Sequence, residues 1–301
     1  MKNIEHGLGK HGRPVKDGET RGDTVSTNIS SLTGRPLPLI MGIINATPDS
    51  FYATSRCQSE RELAARIEQM VVDGVDWLDI GGCSTRPNSA TATEDEEWQR
   101  IDTAMRIVRT YVPRMPISID TFRAGIVRRL YDKYGAFIVN DISAGDDDRE
   151  MIPVVAQLQL PYIAMHKRGT PQTMTHLTDY TDVVLDVKDY LQRKLTTLHD
   201  AGIRTVIIDP GFGFAKTVAQ NYTLLRRLHE FTTLDAPLLI GISRKGMLWK
   251  PLDSQPSDVL CATSALHLQA LLQGAAILRV HDVKEARQIA TLAEWLRGDK
   301  Q

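Results

Sequence analysis

The chain has 301 residues, with 36 Lys and Arg against 37 Asp and Glu for a formal net charge of −1, and 42% of its residues are apolar. That balance excludes an extended polyanion-binding surface, which needs a basic excess, and a chain this long buries roughly three-quarters of its unfolded surface without disulfide or metal staples. Length alone allows about two domains or one α/β barrel of ~250 residues.

Three cysteines (Cys57, Cys83 and Cys261) are too few and too scattered for a disulfide framework or a zinc site. The first residues, MKNIEHGLGKHGRPVKDGE, lack the apolar stretch of a secretory signal. No run approaches the ~18 apolar residues of a membrane span. The expectation is a cytoplasmic protein with neither nucleic acid nor membrane as partner.

Residues 1–35 are polar, with glycines spaced among charges, and bury too little to offset their ordering entropy. They are expected to form a flexible extension, with residues 36–301 making the folded unit. From Leu37 onward short apolar runs alternate with amphipathic segments. The runs are 38–45, 75–82, 116–120, 136–141, 161–165, 205–209, 237–243 and 275–280. Near-continuous apolar runs suit parallel strands covered on both faces.

Helices are expected between them. In 60–73, Leu63, Ile67, Met70 and Val71 follow one helical face, and in 182–199 Val183, Val184, Val187, Leu191, Leu195 and Leu198 do the same. Ser59 with Glu62, and Thr93 with Glu96, have the spacing of capping boxes. The last helices are expected over 257–272 and 282–297. Eight strand–helix pairs in about 265 residues match a single (β/α)8 TIM barrel. A doubly wound open sheet is the competing fold.

In such a barrel the active face is the C-terminal end of the strands. The eight strand ends bring there Asn45, Ser84-Thr85-Arg86-Pro87, Asp120, Asn140-Asp141, Met165-His166, Asp209 with Gly211-Phe212-Gly213-Phe214, Ser243-Arg244-Lys245 and Arg279-Val280-His281-Asp282. Taken singly, each has a plain reading as a cap, a turn or a solvated loop. Taken together they divide into two chemistries. Asp120, Asn140 and Asp209 are acceptors suited to a flat heterocycle with adjacent N–H donors. Asn45, Ser84, Thr85, Arg86, Lys245, Arg279 and His281 form an anion-binding set, and the loops after strands seven and eight commonly hold phosphate in this fold. A phosphorylated heterocycle is the substrate class that satisfies both. Other motifs fail: Gly211 to Thr217 lacks P-loop spacing, and neither a G-x-S-x-G elbow nor an H-E-x-x-H pair occurs.

Seven motifs in order resemble the dihydropteroate synthase family of folate biosynthesis: MGIINATPDSF (41–51), DIGGCSTRP (79–87), SIDT (118–121), NDIS (140–143), DPGFGF (209–214), SRK (243–245) and RVHDVKE (279–285). The resemblance covers about residues 38–295. It implies condensation of 6-hydroxymethyl-7,8-dihydropterin pyrophosphate with p-aminobenzoate. It further implies that Asp120, Asn140, Met165, Asp209, Phe214, Lys245 and Arg279 hold the pterin, with Arg279 stacked on its face. Asn45, Thr85, Arg86, Arg279 and His281 would hold pyrophosphate, with Mg²⁺ near Asn45. Thr85, Pro87, Lys245 and Gly246 would hold p-aminobenzoate, its carboxylate at the N-terminus of the helix after Lys245. Asp120, Lys245 and Arg279 would be catalytic, and a homodimer through the late helices is expected.

The chain departs from the family at several places. Tyr52 and Ala53 alter the first loop, Cys83 replaces a frequent Glu and is read as a spectator, and Gly246 stands where many members carry Ser. A pterin-binding methyltransferase barrel shares the ring pocket but does not need the cluster of cations. A catalytically silent pterin-binding paralogue is the non-enzyme alternative.

Overall fold

The computed structural model describes residues 33, 34, 36–46, 56–83 and 92–299, with backbone alone for 56–59. The expected extension apart from residues 33 and 34, the first-loop residues Tyr52 and Ala53, and the site candidates Ser84, Thr85, Arg86 and Pro87 lie outside the described residues. The cap expected at Ser59 is corrected: its backbone lies within a helix that already begins at Arg56.

Strands and helices alternate without exception. The strands are β1 (Leu39–Asn45), β2 (Trp77–Gly81), β3 (Ile117–Asp120), β4 (Ile138–Asp141), β5 (Tyr162–Met165), β6 (Val206–Asp209), β7 (Leu239–Ile240) and β8 (Ile277–Val280). Each is followed by its helix: α1 (Arg56–Val72), α2 (Glu94–Tyr111), α3 (Ala124–Tyr134), α4 (Met151–Leu158), α5 (Val183–Asp200), α6 (Val218–Arg226), α7 (Leu260–Leu272) and α8 (Val283–Arg297). A single-turn helix, Gly246–Trp249, precedes α7. The strands pair in parallel in the order β6-β5-β4-β3-β2-β1-β8-β7. A parallel bridge between Ile208 and Leu238 then joins β6 to the head of β7. The sheet is therefore a closed barrel, not the open doubly wound alternative.

Strand periodicity divides every strand between two surroundings. Inward residues at the N-terminal end make an apolar floor of Leu39, Met41, Trp77, Ile138, Ile163, Ile207, Leu239 and Ile277. Outward residues such as Ile40, Leu78, Ile119, Val139, Ile208 and Leu278 pack under the helices in the larger core. Going up the same inward rows, the apolar side chains give way to Asn45, Asp79, Ser118, Asp120, Asn140, Asp209 and Arg279. The floor thus seals the barrel and leaves its C-terminal mouth polar.

Helix stripes agree with the expected ones where they are strong. All six residues of the α5 stripe are buried. In α1 Leu63, Ile67 and Met70 are buried, but Val71 is 39% exposed and Ala64 takes its place on the stripe. Thr93 makes its capping box: its Oγ1 accepts from Glu96 N–H, and Glu96 Oε2 accepts from Thr93 N–H at 2.8 Å. Thr217 and Gln220 make a second box on α6 that the sequence reading passed over. α7 and α8 begin at Leu260 and Val283, later than expected, because the polar 251–257 stretch and Asp282 stay in turns.

Trp77 fills the floor at 0% exposure, and its buried indole N–H has no partner among the described residues. Trp77→Ala should therefore lower unfolding free energy by about 3–5 kcal/mol. Trp77→Phe, which removes the unpaired donor along with some volume, should cost clearly less. Urea denaturation of the two variants beside the parent checks the order.

Candidate active site

The mouth is organised by charges that meet across the barrel. Asp79, inward on β2 and fully buried, accepts from Ser118 Oγ at 2.5 Å and from Asn140 Nδ2 at 3.2–3.3 Å. Arg279 reaches over from β8. Its Nε donates to Asp79 Oδ2 at 2.7 Å, and its Nη2 donates to Asp120 Oδ2, also at 2.7 Å. One guanidinium thus serves two carboxylates on adjacent strands, a geometry suited to its planar fork.

These contacts set the protonation behaviour. Burial pushes Asp120 up to about 7, helped by the neighbouring Asp79 charge and opposed by Arg279. Burial works against the charge of Arg279, but the two carboxylates outweigh it and hold the guanidinium above its ordinary range.

Asn140 spends its amide N–H groups on Asp79, so its carbonyl oxygen is what remains as an acceptor. Asp209 at the end of β6 uses Oδ1 to accept from Gly211 N–H at 2.7 Å. The plain reading of Asp209 as a turn residue is therefore half true: among the described residues nothing donates to its other oxygen. Burial raises the Asp209 carboxyl, while Lys245 and the Gly211 N–H pull it down. Met165 lies beside Asp209 in the β5–β6 register.

Lys245 donates from Nζ to the Phe212 carbonyl at 2.5 Å, and the amine lies 4.9 Å from the centre of the Phe214 ring. Burial draws it down to about 8 despite the opposing Asp209 charge. Gly211 is required for this turn. It sits at φ +70°, and a Cβ there would stand 1.9 Å from the His166 carbonyl oxygen. A glycine is the residue that tolerates both conditions.

One expectation needs correction and two gain detail. His281 is not one of the cations: burial, and then Arg279 and Arg244, push it down to about 4. Its Nδ1 lies 3.0 Å from Ser243 Oγ, so it serves as a neutral ring. Both carboxylates bond the Arg279 guanidinium at its edge, through Nε and Nη2, and such in-plane bonds do not engage the faces that the expected stacking would use. The helix after Lys245 is a single turn, Gly246–Trp249, too short to sum a macrodipole. What it offers an anion is its backbone N–H groups. A Cβ on Gly246 would meet the flexible end of Lys250 at 3.3 Å and the edge of the Trp249 ring at 3.7 Å.

Other groups fall outside the mouth. Asp141 faces outward, accepting from Ser143, Gly145 and Tyr162 in a buried turn. Arg244 is paired with Asp282 at 2.5 Å. Burial raises the Cys83 thiol, in keeping with a spectator. Asn45, by contrast, belongs to the mouth: it ends the inward row of β1, level with Gly81.

Sequence reasoning missed Asp79, which sits mid-strand inside a glycine-rich motif and looked like part of β2. The available signal was parity: an ionisable residue two positions before the inward Gly81. It also missed Arg66 on α1, which donates to the Ile43 carbonyl at 3.3 Å beside the Arg244–Asp282 pair. On sequence alone that residue belongs to a solvated helix face.

Comparisons with known proteins bear on this geometry. A family model described as "Pterin binding enzyme" matches residues 41–281. The dihydropteroate synthase of Synechocystis sp. is 41% identical over 260 residues, covering 85% of this chain and 89% of the relative. The structure of Yersinia pestis dihydropteroate synthase with a sulfonamide drug superposes with a TM-score of 0.78 at 34% identity, covering 87% of this chain and 95% of that one. That of Burkholderia cenocepacia dihydropteroate synthase with 7,8-dihydropteroate gives 0.76 at 36%, covering 87% and 92%.

Asp79→Asn keeps the shape of the buried network and removes one charge. The Asp120 carboxyl should then titrate below 7, because the remaining guanidinium charge is no longer shared. Carboxyl ¹³C NMR of Asp120 across pH 3–9 checks the direction. Arg279→Met should leave both carboxylates buried without a cation and cost about 3–5 kcal/mol of stability.

Proposed function

The chain belongs to the dihydropteroate synthase family of pterin-binding enzymes, whose place is folate biosynthesis, and from that premise we propose how its barrel mouth performs the condensation. The substrates are 6-hydroxymethyl-7,8-dihydropterin pyrophosphate and p-aminobenzoate, and the products are 7,8-dihydropteroate and pyrophosphate. The observation that carries the reading is that one mouth holds both a buried acceptor edge, at Asp209 and Asn140, and the cationic groups Arg279 and Lys245 with the neutral donor His281.

Asp209 accepts from the 2-amino and N3 groups of the pterin, and Asn140 offers its carbonyl oxygen to the same edge. Lys245 turns from the Phe212 carbonyl to the pterin carbonyl and N5, while Met165 and Phe214 flank the ring. The C–O bond to pyrophosphate breaks with its electron pair leaving on the pyrophosphate oxygen. The resulting cation is spread over the dihydropterin ring, where ionised Asp120 favours it. Stabilising the departing anion is the largest contribution, and it falls to Arg279 and His281, with Thr85 and Arg86 assigned by resemblance. The arylamine nitrogen of p-aminobenzoate is neutral at pH 7, attacks the cationic carbon and then loses a proton. No nucleophilic triad is needed. Backbone N–H groups at Gly246, with Thr85 and Pro87, receive the carboxylate of p-aminobenzoate.

Mg²⁺ fits this mouth as an ion carried by the leaving group. Among the described residues no group of three or more His, Cys, Asp or Glu side chains could hold a metal ion. The side-chain oxygen of Asn45 would be the protein ligand, with phosphate oxygens and water completing the shell, a division that suits this cation. When bound, Mg²⁺ neutralises charge on the pyrophosphate.

No described helix is long and apolar enough to cross a membrane. Leu260 and Leu272 on α7, and Leu292, Trp295 and Leu296 on α8, remain exposed. They supply an apolar surface for the proposed homodimer.

Purified protein with Mg²⁺ should release pyrophosphate only when both substrates are present, with dihydropteroate formed in equal amount. Pterin binding without turnover would favour the silent paralogue, and methyltetrahydrofolate bound tighter than the pterin pyrophosphate would favour the methyltransferase. The pH profile is a separate test. Asp120 must be ionised, so kcat/KM should fall as pH drops through about 7. Lys245 must be protonated, so it should fall again as pH rises through about 8. A narrow bell between those limbs is expected from assays over pH 5.5–9.5.

A further inference from the structure

The turn after β6 carries much of the mouth. Its Gly211 N–H holds Asp209, its Phe212 carbonyl holds the Lys245 amine, and the Phe214 ring lies beside that amine. Its backbone is unusual, with Gly211 at φ +70°, Gly213 at +81° and Ala215, which has a Cβ, at +50°. The two glycines adopt such φ freely, but Ala215 is strained there and persists only where surrounding contacts over-determine it.

Two side chains supply those contacts. From outside the turn, Asn221 Oδ1 accepts from Gly213 N–H at 2.7 Å, and its Nδ2 donates to the Thr217 carbonyl at 2.7 Å. From inside comes Lys216, which is 8% exposed. Its Nζ donates to the Gly211 carbonyl at 2.9 Å and to the Phe214 carbonyl at 3.0 Å, and lies 3.0 Å from His166 Nδ1. His166 is a fixed wall: its ring meets Tyr190 edge-on at 4.9 Å, and its N–H donates to the Asp209 carbonyl at 3.0 Å.

No carboxylate bonds to this amine among the described residues, so Lys216 is not one half of a buried ion pair. Burying a lysine amine is costly unless its hydrogen bonds are made. Here they go to the two carbonyls that bracket Phe212 and to the neighbouring strand end. A side chain needed only for volume would be apolar.

We infer that Lys216 is a positioning residue for the pterin edge of the mouth: by holding the Gly211 and Phe214 carbonyls it sets where the Asp209 carboxylate and the Lys245 amine stand. The inference rests on the pterin reading of that edge. It separates two ends of the site, because among the described residues no hydrogen bond joins Arg279, Ser243 or His281 to the turn.

The test is calorimetric binding of two probes, 6-hydroxymethylpterin and inorganic pyrophosphate, to the full chain and its variants. Lys216→Met fills nearly the same volume, ends one atom short of the amine and loses every donor. It should weaken pterin binding tenfold or more while pyrophosphate affinity stays within twofold. Lys216→Gln keeps donors but reaches one bond less far, so it should weaken the pterin about threefold or more, and it serves where the Met variant does not fold. A folded variant with parental pterin affinity overturns the inference, whatever its melting temperature. So does an equal loss for both probes, which is what a general loosening of the barrel would give. A parent protein that binds no pterin overturns the functional reading and this inference with it; parent and variant binding it equally overturn this inference alone.

Discussion

A charged group removed from water must find a partner, and in this barrel that requirement falls on Arg279. It lies inside the mouth with Asp79 and Asp120, so three ionisable groups share one small volume. Burial first, and then the neighbouring Asp79 charge, raise the carboxyl of Asp120 against the pull of Arg279. Removing Arg279 leaves both carboxylates buried without a cation, whereas removing one carboxylate leaves a matched pair. Asp79 also holds Ser118 and Asn140 in place, so the Asn140 side of the acceptor edge is set by the network before any ligand arrives. Preorganised dipoles and charges of this kind stabilise a developing charge without reorganising during the reaction.

Strand parity distributes these roles. Each strand turns one row of side chains to the helices and one to the interior, and the interior row is apolar at the floor and polar at the mouth. Neighbouring residues consequently have unrelated duties. Asn140 faces the mouth while Asp141 is consumed by its own turn, and Met165 flanks the acceptor edge while His166 braces the turn after β6. The floor gives stability, and the mouth can then carry charge that would weaken an isolated sheet.

Some of this was legible in the order of residues. The stripe of α5 was read in full because its six apolar residues repeat at the helical period. Val71 was misread because it lies beyond the narrow buried stripe near the end of α1. Asp120, Asn140 and Asp209 were found because they end strands, where short apolar runs stop. Asp79 was not found because it lies within one. His281 was taken for a cation because a sequence shows an imidazole but not the three arginines around it. Lys216 was seen only as part of a failed P-loop.

By itself the sequence determined the alternation of strands and helices, the closure implied by eight such pairs, and which polar residues stand at the strand ends. These follow from local periodicity and from chain length. Tertiary structure alone decided which carboxylates share a guanidinium, which imidazole stays neutral and which lysine braces a turn rather than meeting a ligand. Asp79 and Arg279 are 200 positions apart and meet only when the barrel closes. Their charge states depend on burial and on distances of a few ångströms, quantities that do not exist until the chain has folded.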